Sequence, residues 1–438
     1  MKKKFGLILS TVMASSLFLT ACGDSTNNTA NNTKSTEAPK STEVAKSGDA
    51  TGKKDPVTIR FATWDTGDSL KYQQDIAKAF EAKNPDIKVQ VEAYGDGFDD
   101  KLAASFGAQN PPDVTYMWDY PKYSKTLEPL DTFVKNDPEM GKLVGDFYQG
   151  ILNYHKYNGA TYGLPVGFTT RVMYYNKKLF DEAGVSYPKN GWTWDDFKAS
   201  AVKLSNKDKK QYAFARATKD NGYAFQEFVW SNGGALISPD GKKLEGFMNS
   251  KETVEAIQLF GDLVNSNVMA TMENGDKVSD AFKAGKVAMV ESGIWPLEGF
   301  KKAGIDIGTV TIPAFGSKPV KGVIHSAGVA MTKDSKHKDL AWRFIKYYAD
   351  ADAAKMRKAD LPIIKAVVTE LKTQEDPLIK PFYAMLENSS DVPSFLIREN
   401  WGEIDKNLDF AIGAVLLKTT TAERALNDAV KKSEQLLK

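Results

Sequence analysis

The sequence predicts an α/β protein built on parallel β-sheet, with enough chain for two such bodies. Three observations carry this. Val57-Thr58-Ile59-Arg60-Phe61-Ala62 and Ile87-Lys88-Val89-Gln90-Val91-Glu92 each alternate apolar and polar side chains, the period of a half-buried strand. Between them Leu70, Ile76, Ala77 and Phe80 recur at helical spacing, and Asn84-Pro85 closes the stretch. Strand, helix and strand within roughly 35 residues make a βαβ unit, whose strands run parallel through a right-handed crossover.

The elements that follow extend this pattern. A helix over residues 101–108 leads to a third short strand, Asp113-Val114-Thr115-Tyr116-Met117, completing an α/β opening. Helical stripes return at Val254, Ile257, Phe260 and Val264, and at Leu340, Ala341, Phe344, Ile345 and Tyr348. A last stripe comprises Ala422, Ala425, Leu426, Ala429 and Val430. Thr420 or Thr421 is its N-cap, and Lys431 and Lys432 stand where the helix dipole favours cations. No repeat of solenoid period is present. At 438 residues the chain is long enough for two domains with their own cores.

The first 54 residues read as an address and a tether. Lys2, Lys3 and Lys4 precede an apolar stretch over residues 5–19, and Leu19-Thr20-Ala21-Cys22 follows, which predicts a signal peptide over residues 1–21. The stretch is too short for a membrane-spanning helix. A single Cys at its end resembles the bacterial lipobox. That resemblance implies that Cys22 becomes the mature N-terminus and carries a diacylglycerol; the alternative is ordinary signal-peptidase cleavage at a site that contains Cys. Each buried methylene of such chains contributes about 0.8 kcal/mol of membrane affinity. Residues 22–54 are dominated by Ser, Thr, Asn, Lys, Glu, Ala and Gly, too polar to offset the cost of ordering, and predict a flexible tether reaching on the order of 30 Å.

Composition narrows the partners. The net charge is +2 before the three N-terminal lysines are removed, so no strongly basic field offers itself to nucleic acid. One Cys excludes an internal disulfide or a CxxC zinc site, and His155, His325 and His337 form no HExxH-like pair, so no metal site is expected. Trp and Tyr number 8 and 17, which suits either packing or the stacking of flat ligands.

In open α/β sheets, ligands bind beyond the carboxyl ends of the parallel strands. The first predicted strand runs out into Trp64-Asp65 and the third into Trp118-Asp119-Tyr120. An indole face is a rigid apolar platform and a carboxylate accepts hydrogen bonds from hydroxyls, a pairing that suits a pyranose ring. The same residues could equally plug the sheet edge and cap the next helices. Gly163-Leu164-Pro165-Val166-Gly167, followed by Arg171, reads as a crossing between domains, with Arg171 either donating to ligand or pairing with an interdomain carboxylate. Trp230 ends an apolar helix before Gly233 and Gly234, and Trp295 follows Glu291 in a turn-prone segment. Trp192 and Trp194 stand where Thr193 or Asp195 starts a helix, and both are assigned to packing.

These features converge on a family. The lipobox, the tether, Phe61-Ala62-Thr63-Trp64, Asn110-Pro111-Pro112-Asp113-Val114 and Tyr162-Gly163-Leu164-Pro165 resemble the extracellular solute-binding lipoproteins of bacterial ABC importers. So do Tyr174-Tyr175-Asn176-Lys177-Lys178-Leu179-Phe180, Trp192-Thr193-Trp194-Asp195-Asp196-Phe197, Asn232-Gly233-Gly234, Gly285-Lys286-Val287-Ala288-Met289, and Ser335-Lys336-His337-Lys338 before Ala341-Trp342. The chain looks like the sugar-binding group related to maltose-binding protein.

This resemblance implies a two-lobed, type II periplasmic-binding-protein-like fold, each lobe a mainly parallel sheet flanked by helices. One lobe would comprise residues 55–164 plus 313–345 and the other 165–312 plus 346–438, with crossings near Leu164-Pro165 and Ile312-Pro313 and a third after Asp339. It places Trp64, Asp65, Trp118, Asp119, Tyr120 and His325 at the cleft from the first lobe, Trp230, Glu291, Trp295 and Trp401 from the second, and Arg171 beside the crossing. The implied protein is a monomer without cofactor or catalytic residue. It is lipid-anchored on the outer face of the cell membrane, and passes a sugar or oligosaccharide to the transmembrane subunits of an ABC permease. Rivals remain: a secreted glycoside hydrolase, for which Asp65 and Asp119 would mimic the carboxylate pair, and a surface adhesin or a sensor presenting solute to a membrane kinase.

Overall fold

The computed structural model describes residues 55–219, 222–358, 360–389 and 391–438. The signal segment, Cys22 and the tether read from the sequence lie outside the described residues. Along the chain the strands are β1 (Val57–Thr63), β2 (Ile87–Ala93), β3 (Val114–Met117), β4 (Lys156–Tyr157), β5 (Ala160–Thr161), β6 (Leu164–Thr169), β7 (Val172–Asn176), β8 (Tyr212–Ala217), β9 (Met269–Met272), β10 (Val287–Ser292), β11 (Ile307–Val310) and β12 (His325–Met331).

The opening βαβ unit forms as its pattern requires. β1 pairs in parallel with β2 from Val57↔Ile87 to Thr63↔Ala93. The intervening helix, Gly67–Lys83, buries Gln73, Ile76, Ala77 and Phe80. It stops because Asn84 returns both its backbone N–H and its Nδ2 to the Phe80 carbonyl, at 2.9 and 3.0 Å, and the residue before Pro85 is pushed out of the helical region.

Among the described residues the strands assemble into two five-stranded sheets and a small hairpin. The first sheet has the order β2-β1-β3-β12-β6 and the second β11-β7-β10-β8-β9. Each is parallel on one side and antiparallel on the other. β1 runs parallel to β2 and β3, while β12 opposes both β3 and β6; β8 runs parallel to β9 and β10, while β7 opposes both β10 and β11. One core covers the outer face of the first sheet, where Phe61 meets Phe344 and Tyr348 edge-on at 5.4 Å. A larger core fills the second lobe and the opposite side of the first.

Two boundaries differ from the sequence expectation. Residues 165–169 belong to β6 in the first sheet, so the chain crosses at Thr170-Arg171 and not at Leu164-Pro165. Pro165 does not break the strand because β6 is an edge, where a missing N–H costs no ladder bond. Gly163 is explained by space: a Cβ there would sit 2.3 Å from the Tyr120 hydroxyl. The first lobe also runs past residue 345, since helix Lys338–Tyr348 and Ala353 remain in its core.

A buried polar chain pins β6, β12 and the segment after β3 together. Ser326 Oγ donates to the Gly167 carbonyl at 2.7 Å, and so accepts from His155 Nε2 at 2.9 Å. That leaves His155 Nδ1 to accept from the Tyr120 hydroxyl at 2.6 Å. Burial holds His155 neutral, lowering its pKa to about 3. Gly163→Ala should displace the Tyr120 ring and weaken this chain, lowering stability by about 1–3 kcal/mol in denaturant unfolding; an unchanged midpoint would show that the space at Gly163 is not limiting.

Candidate ligand-binding groove

The carboxyl ends of β1 and β3 in one sheet and of β8 and β10 in the other feed a common groove. Its cavity of ≈ 420 Å³ is lined by Trp64, Asp65, Ser69, Tyr72, Gln73, Tyr116, Trp118, Tyr154, Tyr223, Trp295, His325, Ser326, Ala327, Arg357 and Asp360. Trp64 stands on Tyr116 at 4.5 Å and against Phe98 at 5.2 Å, which fixes its plane. Trp118 rests on Phe395 at 5.1 Å with 37% of its surface open. Trp295, 50% exposed, folds back over Gly293, where a Cβ would meet its ring at 2.6 Å. The segment carrying it is held by Ile294 N–H donating to Thr169 Oγ1 at 3.0 Å and by the Tyr174 hydroxyl donating to the Gly293 carbonyl at 2.8 Å. Wide exposure of two indoles facing one groove leaves apolar area that a bound ring would cover.

The first-lobe wall is polar. The Gln73 amide donates to Asp65 and accepts from the Tyr348 hydroxyl. Burial raises the Asp65 carboxyl above its usual range despite the Gln73 bond. Burial, with the negative charge of Asp65, also pushes Asp360 up to about 6 against the pull of Arg357. Asp119, beside the groove, is raised to about 6 by burial and accepts the backbone N–H of Lys122 at 3.3 Å.

A second cavity of ≈ 490 Å³ adjoins the groove at Trp295 and is lined in part by Arg171, Arg216, Asp276, Lys283 and Glu291. Here the Glu291 side chain, 2% exposed, accepts from Arg216 Nη1 at 2.7 Å and from Arg171 Nη1 at 3.2 Å. Burial alone would raise the Glu291 carboxyl, but Arg171 and Arg216 outweigh it and hold it below its usual range. Nearby Glu227 is driven well above that range, first by burial and then by the charge of Glu291. Arg171 Nε also donates to His325 Nε2 at 3.2 Å. Because a guanidinium only donates, the ring proton of His325 resides on Nδ1. Burial first, and then Arg171, keep this imidazole neutral.

The structure therefore brings together Trp64, Asp65, Trp118, Trp295 and His325 in one groove, with Arg171 and Glu291 in its side cavity. It does not bring Tyr120, Trp230 or Trp401 there. Tyr120 is fully buried because its hydroxyl serves His155. Trp230, 5% exposed, borders a separate hollow with Tyr157 and Asp240. Trp401, 3% exposed, opens the long helix Trp401–Leu416 and packs into the second-lobe core. Asp119 serves as the N-cap of the short helix Tyr120–Tyr123. Trp192 and Trp194 are core residues, and Thr193 forms a capping box with Asp196. Gln73, Tyr116, Tyr223, Arg357 and Asp360 are groove residues that the sequence reading missed. Gln73 carried a signal, a polar side chain on the apolar stripe of its helix, whereas the loop residues Arg357 and Asp360 carried none.

Comparisons with known proteins bear on this geometry. A family model described as bacterial extracellular solute-binding protein matches residues 63–355. A putative binding protein of Brucella abortus is 27% identical over 385 residues, covering 84% of this chain and 90% of that one. A maltotriose-binding protein of Pyrococcus abyssi is 24% identical, covering 78% and 74%. Among solved structures, an ABC substrate-binding protein from Listeria monocytogenes in complex with cycloalternan superimposes with a TM-score of 0.78 at 25% identity, covering 87% of this chain and 99% of that one. The two-lobed α/β architecture is common to these structures and this protein.

Two outcomes follow from the ion cluster. Glu291→Gln strips a buried partner from two guanidinium groups and should cost about 3 kcal/mol or more of unfolding free energy. Since Glu291 is held below its ordinary 4.5, its contribution is present above that pH and lost as pH falls through its folded value. The acid-side loss of stability should thus be smaller in Glu291→Gln than in wild type; equal losses in both would remove Glu291 from the account.

Proposed function

We propose, from the premise that this chain belongs to the bacterial extracellular solute-binding proteins, that it captures a sugar or oligosaccharide and hands it to the membrane subunits of an ABC importer. One observation carries the carbohydrate reading: indoles from both lobes, Trp64 and Trp118 on one side and Trp295 on the other, face a single groove whose walls hold carboxylates. Stacking covers the apolar face of a sugar ring, and the carboxylates and Arg side chains bond its hydroxyl belt. The names of relatives that bind maltotriose and cycloalternan support the same ligand class.

A ligand touching both lobes stabilises a closed arrangement about the crossings, and the importer recognises that state. The crossings at Thr170-Arg171 and between β11 and β12 supply the pivots. We read the chain as a monomeric receptor without catalytic residues. Asp65 is engaged by Gln73 and Asp119 caps the helix after β3, and both follow strands of the first sheet, so they do not flank a sugar from opposite walls as a hydrolase's acid and base would. We place the protein on the outer face of the membrane, anchored through Cys22 after removal of residues 1–21, with residues 22–54 as tether.

Calorimetric titration with a panel of glucose, xylose, arabinose and N-acetylglucosamine oligosaccharides tests the reading. Saturable binding with the sugar recovered intact is expected; shortened products would convert the receptor into an enzyme. Trp64→Ala and Trp295→Ala should each weaken binding by about 1–3 kcal/mol with little change in folding, and unaltered affinity in both would take the indoles out of the site. Cys22→Ser should move the protein from membranes to the medium in fractionated cells, and retention on membranes would refute the anchor.

A further inference from the structure

Stacking on Trp64, Trp118 and Trp295 cannot by itself distinguish one sugar from another, because pyranoses share an apolar face. Selectivity has to come from polar groups fixed in the groove wall. Asp65 is already committed to Gln73. Hydroxyls of Ser69, Tyr72 and Tyr116 also line that wall, but its remaining charged groups are Arg357 and Asp360.

Resting on the carbohydrate reading above, we propose that Arg357 and Asp360 act together as the specificity pair of the groove, binding two adjacent hydroxyls of one neutral sugar ring. Arg357 is 8% exposed, donates Nη1 to the Tyr348 carbonyl at 2.7 Å and lies over the Tyr348 ring at 4.9 Å. Its Nε has no partner among the described residues. A buried guanidinium with an unmet donor is costly unless something else completes its bonding. Asp360 feels the charge of Arg357 and is also bonded by the Tyr116 hydroxyl, both of which favour its ionised form. A sugar hydroxyl oxygen accepting from the guanidinium would meet the unpaired donor of Arg357, while a neighbouring hydroxyl donates to the Asp360 carboxylate. Two carboxylates, Asp65 and Asp360, against one guanidinium make this wall unfavourable for an acidic sugar.

The pair is also held rigidly, which a reading site requires. Leu361 N–H donates to the Phe168 carbonyl at 2.9 Å and Phe168 N–H returns to the Leu361 carbonyl at 3.1 Å, locking the segment onto the edge of β6. Gly167 opens the space that Asp360 occupies, since a Cβ at 167 would lie 2.5 Å from Asp360 Cβ.

The test titrates wild type, Arg357→Lys, Asp360→Asn, Gly167→Ala and Trp295→Ala with maltotriose, xylotriose and arabinotriose, each variant first checked for a native unfolding transition. Against whichever of the three binds wild type best, Arg357→Lys and Asp360→Asn should each lose tenfold or more in affinity, and Gly167→Ala should lose affinity by displacing Asp360. Monodeoxy forms of that trisaccharide should then show wild type sensitive at two adjacent ring positions, with Asp360→Asn indifferent to one of them. Weakened binding in Trp295→Ala with wild-type affinity in the Arg357 and Asp360 variants would overturn the specificity pair and leave the receptor reading standing. Sensitivity confined to one position, or to two that are not adjacent, would also overturn it. If wild type binds none of the three and no other sugar of the calorimetric panel, the carbohydrate reading fails and this inference fails with it.

Discussion

The arrangement of this protein turns on one side chain at the point where its halves meet. Arg171 lies in the two-residue passage between β6 of the first sheet and β7 of the second. From there its guanidinium reaches Glu291 on β10 in one lobe and His325 on β12 in the other. The Glu291 carboxylate is buried and would be costly to ionise alone; Arg171 and Arg216 together keep it charged. Because Arg171 occupies His325 Nε2, the imidazole is held neutral in a single tautomer between the rings of Tyr223, at 4.6 Å, and Trp295, at 5.3 Å. One charge cluster thus sets the geometry of the crossing, of an aromatic wall and of a donor at the groove.

Much of the fold was legible because its signals are local. The stripe from Leu70 to Phe80 and the alternation in β1 and β2 specify a unit that forms within a single stretch of chain. The helices Lys251–Asn265, Lys338–Tyr348 and Ala422–Ser433 follow their apolar periods, the last with Thr421 accepting from Arg424 N–H as its N-cap. The crossing was misplaced because Gly and Pro ordinarily punctuate a chain. At Leu164–Thr169 they answer a different demand, an edge strand that passes close to Tyr120 and Asp360. Long-range contact, invisible in a local pattern, decided their meaning.

The candidate groove was legible in the same proportion. Trp64, Asp65 and Trp118 could be found because sheet topology assigns function to the residue after a parallel strand, and that position is countable. Trp230 and Trp401 share the residue type without the position, and both were absorbed by packing. Arg357 and Asp360 come from a loop between helices, brought to the groove by an antiparallel bridge between Phe168 and Leu361, residues nearly two hundred positions apart. No spacing rule encodes such a meeting.

The carboxylates in and beside the groove point to how binding and folding share one free-energy account. Burial pushes both Asp360 and Asp119 up to about 6, with the charge of Asp65 adding to the effect at Asp360. A folded-state value above the ordinary 3.8 means that the native protein binds the proton more tightly than the unfolded chain, so each group's contribution falls as pH rises from about 4 through 6. At neutral pH the ionised Asp360 therefore weakens the empty protein by at most about 3 kcal/mol. Hydroxyls donating to that carboxylate would relieve the same strain, and the relief adds to affinity without a new apolar contact. On the reading proposed above, a donor reaching Asp360 returns part of the cost of ionising it, so folding and binding draw on the same carboxylate.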